Sequence, residues 1–277
     1  TMNVFFDILI LFFMISALQP VIKQEFLKAS RQNVISRIEK KTNSRVITLI
    51  HRQETMSILG FPVMRYIDIN DSEKVIRAIQ TTAPDTPISL ILHTPGGIAL
   101  AALQIAKAIK SHKGKVTVYV PHYAMSGGTL IALAADEIAM GEHSVLGPVD
   151  PQIDKYPAPS IVNVLRQKPI AEIDDETLIL ADISQKAISQ LEHSIIDLLP
   201  DNYSEEDRKR ISDALTRGHW THDFPISVDV ARQLGLKVTT DVPAEVFQLM
   251  DLFPQPVRST PSVEFGPGPN YQRGQKK

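Results

Sequence analysis

His93-Thr94-Pro95-Gly96-Gly97 follows the apolar run Ser89-Leu90-Ile91-Leu92 and opens onto a helix-like segment rich in Ala, Leu and Ile. The same pattern returns downstream. Val116-Thr117-Val118-Tyr119-Val120 leads through Tyr123-Ala124-Met125-Ser126-Gly127-Gly128-Thr129 into Leu130-Ile131-Ala132-Leu133. Short apolar runs of this length read as buried strands, and each gives way to a glycine turn and then a helix. Strands that alternate with helices predict an α/β fold, a parallel sheet flanked by helices. Both glycine turns fall at strand C-terminal ends, where open α/β sheets place their reactive groups.

Outward from these turns the alternation continues. Val46-Ile47-Thr48-Leu49-Ile50-His51 reads as the first core strand. A helix is predicted from Asp71-Ser72-Glu73 to about Thr82, with Asp71 or Ser72 as its N-cap. Glu137-Ile138-Ala139-Met140 reads as a further strand. Residues 144–173 are rich in turn signals, including Gly147-Pro148, Pro157, Pro159 and Pro169. Helices follow from about Asp175 to Leu199, Ser204 to Thr216 and Ser227 to Leu234, then a strand at Leu236-Lys237-Val238. From Pro254 onward prolines, glycines and basic residues predict a disordered tail over 254–277.

The opposite end reads differently. Val4 to Leu18 is VFFDILILFFMISAL, interrupted only by Asp7 and Ser16. The expectation is a membrane-associated helix over residues 1–20, with a signal peptide or a buried helix as the alternatives, and an amphipathic helical connector over 21–45. Lys23, Lys28, Arg31, Arg37, Lys40, Lys41 and Arg45 follow the apolar run against Glu25 and Glu39. By the positive-inside rule the 46–253 unit would then face the cytoplasm.

Composition narrows the chemistry. The chain has 277 residues, no cysteine and a net charge of −2. The absence of cysteine excludes thiol catalysis, disulfides and thiolate metal sites. The near-neutral charge gives no field for nucleic acid. His219-Trp220-Thr221-His222-Asp223 lacks the helical setting of a metallopeptidase and a third ligand, so it reads as structural. Asp150 and Asp154 read as turn residues. Neither a metal nor a cofactor is expected.

Ser126 remains as a small nucleophile set among glycines. A serine hydrolase needs N–H donors for an oxyanion and a base for the hydroxyl proton. Gly127 N–H and an N–H from Gly96 or Gly97 are the candidate donors. Taken alone, each turn reads better as a tight turn, with Ser126 a helix cap. Two such turns on neighbouring strands favour the catalytic reading.

These motifs resemble the Clp-protease/crotonase-like serine peptidases, the signal peptide peptidase A group in particular, and within it the membrane-associated serine dehydrogenase proteinase branch. The likeness runs from about Val46 to Val238. It rests on HTPGG at 93–97, AMSGGTLIALAADEIAM at 124–140, SVLGPVDPQI at 144–153 and IDDETLILADISQKAISQL at 173–191. The resemblance implies a nucleophilic Ser126, an oxyanion hole around Gly96, Gly97 and Gly127, and a homo-oligomer. A Clp-type base would be a histidine about 25 positions after the serine. That region here is Gly147-Pro148-Val149-Asp150, and His143 comes too early. The signal peptide peptidase group uses a Ser-Lys dyad, and Lys168 fits its lysine, lying just before Asp174-Asp175-Glu176. Lys155, Lys186 and a histidine are the alternative bases. The expected function is a membrane-anchored serine endopeptidase acting on peptide or protein substrates, including membrane-derived segments. A crotonase-type acyl-coenzyme A enzyme and a non-catalytic membrane scaffold are the rival readings.

Overall fold

The computed structural model describes residues 2–52 and 65–253. Helix α1 (Met2–Thr42) leads into β1 (Arg45–Ile50), α2 (Ile69–Gln80), β2 (Ile88–His93), α3 (Ala99–Ser111) and β3 (Val116–Val120). Next come β4 (Tyr123–Ala124), α4 (Gly127–Leu133), β5 (Glu137–Met140), β6 (Val145–Leu146), β7 (Gln152–Ile153) and β8 (Tyr156–Pro157). The remainder is α5 (Ala158–Gln167), α6 (Asp175–Leu198), α7 (Glu205–Thr216), β9 (Ile226–Ser227), α8 (Val228–Gln233), β10 (Val238–Thr239) and α9 (Ala244–Asp251).

The expected α/β architecture is present. A five-stranded sheet has the order β1-β2-β3-β5-β10, and every pairing in it is parallel. Every residue of the neighbouring strand β2 is buried, which is why it reads as an unbroken apolar run rather than an alternating one. Side chains on the strands alternate between two cores. Ile47, Leu49, Leu90, Leu92, Val118 and Val120 join one cluster with α2, α3 and α4. Val46, Ile91, Tyr119 and Ala139 turn the other way, against Val34 and Ile38 of α1 and Val246 and Leu249 of α9.

The N-terminal expectation needs correction. Among the described residues no helix is long and apolar enough to cross a membrane. The apolar run Val4–Leu18 has 15 residues. At 1.5 Å per residue that is about 22 Å of helix, short of the roughly 30 Å of hydrocarbon in a bilayer. Past Leu18 the helix continues unbroken with Lys23, Glu25 and Lys28 exposed. A membrane localisation with a cytoplasmic catalytic unit rested on that span and falls with it. The connector reading also changes, since Ile38 is fully buried and Val34 nearly so. The second half of α1 forms one wall of the core.

Other differences are local. Helix α2 starts earlier than the expected Asp71 or Ser72. Its N-cap is Asp68, whose Oδ1 accepts from the Asp71 N–H at 2.9 Å, while Asp71 Oδ2 accepts from the Asp68 N–H at 3.1 Å. This reciprocal box satisfies two N-terminal donors, and Asp71 therefore occupies the first turn. Helix α5 lies inside the segment read as turns. Its start is set by Pro157 as N-cap and Pro159 in the first turn, where a missing N–H costs nothing. The tail over 254–277 lies outside the described residues.

Candidate active site

The two glycine turns meet. The first leaves β2 at His93. The second leaves β3, passes through β4 and reaches Ser126 at the N-cap of α4. Thr94 N–H donates to Tyr123 O at 3.2 Å, and Met125 N–H donates to Thr94 O at 3.0 Å, so backbone bonds hold one turn to the other. A Cβ added at Gly96 would lie 2.9 Å from Ser126 Cβ and 3.4 Å from Gly127 N. Gly96 has φ of +110°, in the left-handed region that glycine tolerates. Only a residue without a side chain lets the turns approach so closely.

Ser126 has φ 50° and ψ −114°, a sparsely populated conformation for a residue with a Cβ. Such a geometry costs on the order of 1–3 kcal/mol, which the surrounding hydrogen bonds must offset. Its side chain makes no capping hydrogen bond. The helix-cap explanation of this serine therefore fails, and the hydroxyl is left for other work.

Backbone direction decides which N–H groups face the same space. Ile67 N–H donates to Gly96 O at 2.8 Å and Ile98 N–H to Ile67 O at 2.9 Å, a parallel bridge centred on Gly97. In such a bridge the central residue directs its own N–H away from the partner strand. Gly97 N–H therefore points away from Ile67. A Cβ at Gly127 would lie 3.7 Å from Gly97 N. Among the described residues no backbone carbonyl accepts from Gly97 N–H or Gly127 N–H.

A chain of side chains, buried at His51 and Thr94, braces the first turn. Asp71 Oδ2 lies 3.1 Å from His51 Nε2, His51 Nδ1 lies 2.9 Å from Thr94 Oγ1, and Gly96 N–H donates to Thr94 Oγ1 at 3.2 Å. Burial pushes the His51 pKa below its ordinary value, more strongly than neighbouring Asp71 raises it. A carboxylate only accepts, so His51 Nε2 carries the proton and Nδ1 accepts from the Thr94 hydroxyl. Nothing in the sequence pattern joined His51 or Asp71 to the turn.

Gly97, Ser126 and Gly127 open onto a cleft of about 380 Å³ that also takes in Asp150, Gln152 and His222. Asp150 is buried and His222 half-buried. Their contact, His222 Nδ1 to Asp150 Oδ1, measures 2.8 Å. Gln152 Nε2 donates to Asp150 Oδ2 at 2.8 Å and to Asp150 O at 3.2 Å, and it also stands 3.2 Å from His222 Nδ1. Asp150, read from the sequence as a turn residue, and His222, read as structural, are thus hydrogen-bonded partners at the edge of the cleft. Sequence reasoning missed the pair because 72 positions separate them.

The candidate lysines lie elsewhere. Lys168 is the exposed C-cap residue of α5 and does not line the cleft. Lys186 pairs with Asp182 one turn away on α6. Lys155 lies over the ring of Tyr156, 5.4 Å from its centroid.

The whole chain, residues 1–277, matches the family described as ClpP-like SDH-type serine proteinase. The chain belongs to that family. It is 53% identical to an uncharacterized protein of Methanocaldococcus jannaschii over 97% of this chain and 93% of that one. It is 48% identical to a second protein of that organism over 100% of this chain and 94% of the other. A mutant of the 1510-N membrane-bound stomatin-specific protease, solved in complex with a substrate peptide, matches at 23% identity and a TM-score of 0.43. That match covers 64% of this chain and 72% of the other. Family membership places this serine proteinase among the hydrolases.

Proposed function

We propose that this proteinase cleaves peptide bonds with Ser126 as nucleophile and the N–H groups of Gly97 and Gly127 as the oxyanion hole. The observation that carries the reading is the convergence of these three groups on one cleft, with the serine hydroxyl unused by its helix. Ser126 Oγ would attack the scissile carbonyl, and the charge that develops on its oxygen would fall between two preorganised donors. Removing one such donor elsewhere typically costs about 100- to 1,000-fold in rate.

The substrate is an extended peptide. Gly96 and Gly97 already pair with Ile67 along one side. A substrate strand beside the cleft would add main-chain hydrogen bonds in the same manner, with side-chain pockets setting preference. Hydrophobic residues suit the apolar part of the wall, formed by Leu103, Leu130, Val149 and Leu191. Assembly of several copies into a closed particle is part of the same proposal and would restrict entry to unfolded segments.

A Ser-Lys dyad would need Lys168 carried from its exposed place at the end of α5 into the cleft. The test of the function is cleavage of an unfolded protein such as casein. Wild type should produce fragments and Ser126→Ala should not. Equal fragment yields from the two proteins would refute the proposal.

A further inference from the structure

We infer that His222, held by Asp150, is the group that takes the proton from Ser126. The inference rests on the serine-peptidase reading above and deepens it by naming the base. Its ground is the cleft. The ionisable side chains that line it are Asp150 and His222. The others facing them are neutral: Ala187, Gln190 and Ser194 from α6, and Gln152 from β7. Asp223, next along the loop, is exposed and outside the lining.

The hydrogen bonds fix the tautomer. Asp150 is a buried carboxylate and can only accept. Gln152 Nε2 is a donor and spends its two hydrogens on Asp150 Oδ2 and Asp150 O. The proton between His222 and Asp150 must then sit on Nδ1, which leaves Nε2 with its lone pair and without a partner among the described residues. A histidine with one nitrogen pinned by a buried carboxylate and the other free is the arrangement a general base requires. Asp150 would stabilise the imidazolium without taking the proton itself.

The loop that presents His222 is fixed at both sides. Trp220 and Phe224 stack with ring centroids 5.0 Å apart and an interplanar angle of 4°, and both pack against the main core. That anchoring spends two large apolar side chains on a short irregular segment. Lys168, by contrast, caps a helix in solvent.

The Ser126 Oγ–H proton passes to His222 Nε2, directly or through one water molecule, as the Oγ–C bond forms. The carbonyl π pair moves onto oxygen, under the Gly97 and Gly127 N–H groups. Collapse of this intermediate breaks the C–N bond, and His222 Nε2–H protonates the leaving amine. Water then attacks the acyl-enzyme, giving a proton to the same nitrogen; collapse of this second intermediate breaks the Oγ–C bond, and His222 Nε2–H returns the proton to Ser126 Oγ as the carboxylic acid product leaves.

The experiment measures the rate of Ser126 acylation by a fluorophosphonate probe across pH 4–9 on the full chain. Wild type, His222→Gln, Asp150→Asn, Lys168→Ala and Ser126→Ala are compared, with circular dichroism showing that each is folded. The inference expects His222→Gln to react about 100- to 10,000-fold more slowly. It also expects that variant to lose the fall in rate on acidification, while Lys168→Ala keeps that fall. Asp150→Asn should slow the reaction in the same direction. If His222→Gln is misfolded, His222→Asn with the same readout replaces it. Wild-type rate, or a surviving acid fall, in the folded His222 variant would overturn the inference. Undiminished labelling of Ser126→Ala would instead refute the serine-peptidase reading beneath it.

Discussion

Gly97 shows how tightly single residues are constrained here. A Cβ at this position would lie 2.3 Å from both Ile67 N and Ile67 O, inside the bridge that aims its N–H. Backbone cannot yield as a flexible side chain can, so the turn itself would have to shift. Gly97→Ala is expected to lower peptide cleavage by at least about 100-fold, the cost of one misplaced oxyanion donor. Parallel kinetics on the variant and wild type check this. A loss smaller than about threefold would mean that Gly97 N–H does not face the reacting carbonyl. The contrast with Ser126 is instructive. There a residue with a Cβ accepts a backbone conformation of low population, and nothing in its own side-chain bonding compensates. Strain of this kind fits the proposed role of Ser126, where the direction of one atom would matter more than local stability.

At the scale of elements, α1 carries the clearest energetic claim. Ile38 is fully buried against β-strand residues Val46 and Ile91 and against α9. Replacing such an isoleucine by alanine usually costs about 2–5 kcal/mol, through lost transfer energy and the cavity left behind. Ile38→Ala should lower stability to urea by that amount, whereas an α1 that merely linked two parts would make the change almost silent. The same helix shows what sequence could and could not reveal. Strands β2 and β3 and the glycine turns were legible because each signal is local: an apolar run, then Gly-Gly. The starts of α6 and α7 were legible within a residue, where Asp174 and Ser204 bond N–H groups only three positions away. Helix α5 was hidden because Pro157 and Pro159 look like turn residues until their place at a helix start is known. Val34 and Ile38 were hidden among charges, because nothing local says that α9 and the sheet will cover them. The His222–Asp150 contact joins the loop after α7 to the loop after β6, and no periodicity encodes a pairing of that kind.

For the molecule as a whole, the histidines set a limit in acid. His93 is buried between His122, 5.6 Å away between ring centroids, and Tyr123, at 4.1 Å. Burial, then the nearby Arg52 charge, lowers its pKa from 6.5 to about 3. Burial lowers His51 and His122 as well. Between the two values for His93 the unfolded chain binds a proton that the folded chain refuses. Stability therefore rises with pH across that window and falls as acid is added from about 6.5 toward 3. The slope for one such group is at most about 1.4 kcal/mol per pH unit. Urea midpoints measured from pH 7 to pH 4 should decline, and His93→Gln should decline less steeply. A flat profile in wild type would show that these histidines are not held neutral.

All of this converges on one hydroxyl. The most direct measurement is to treat the folded protein with a fluorophosphonate, digest it and locate the adduct by peptide mass. A single adduct on Ser126, absent in Ser126→Ala and sharply reduced in Gly97→Ala, is the predicted result. An adduct on a different residue, or none on wild type that cleaves casein, would contradict the account.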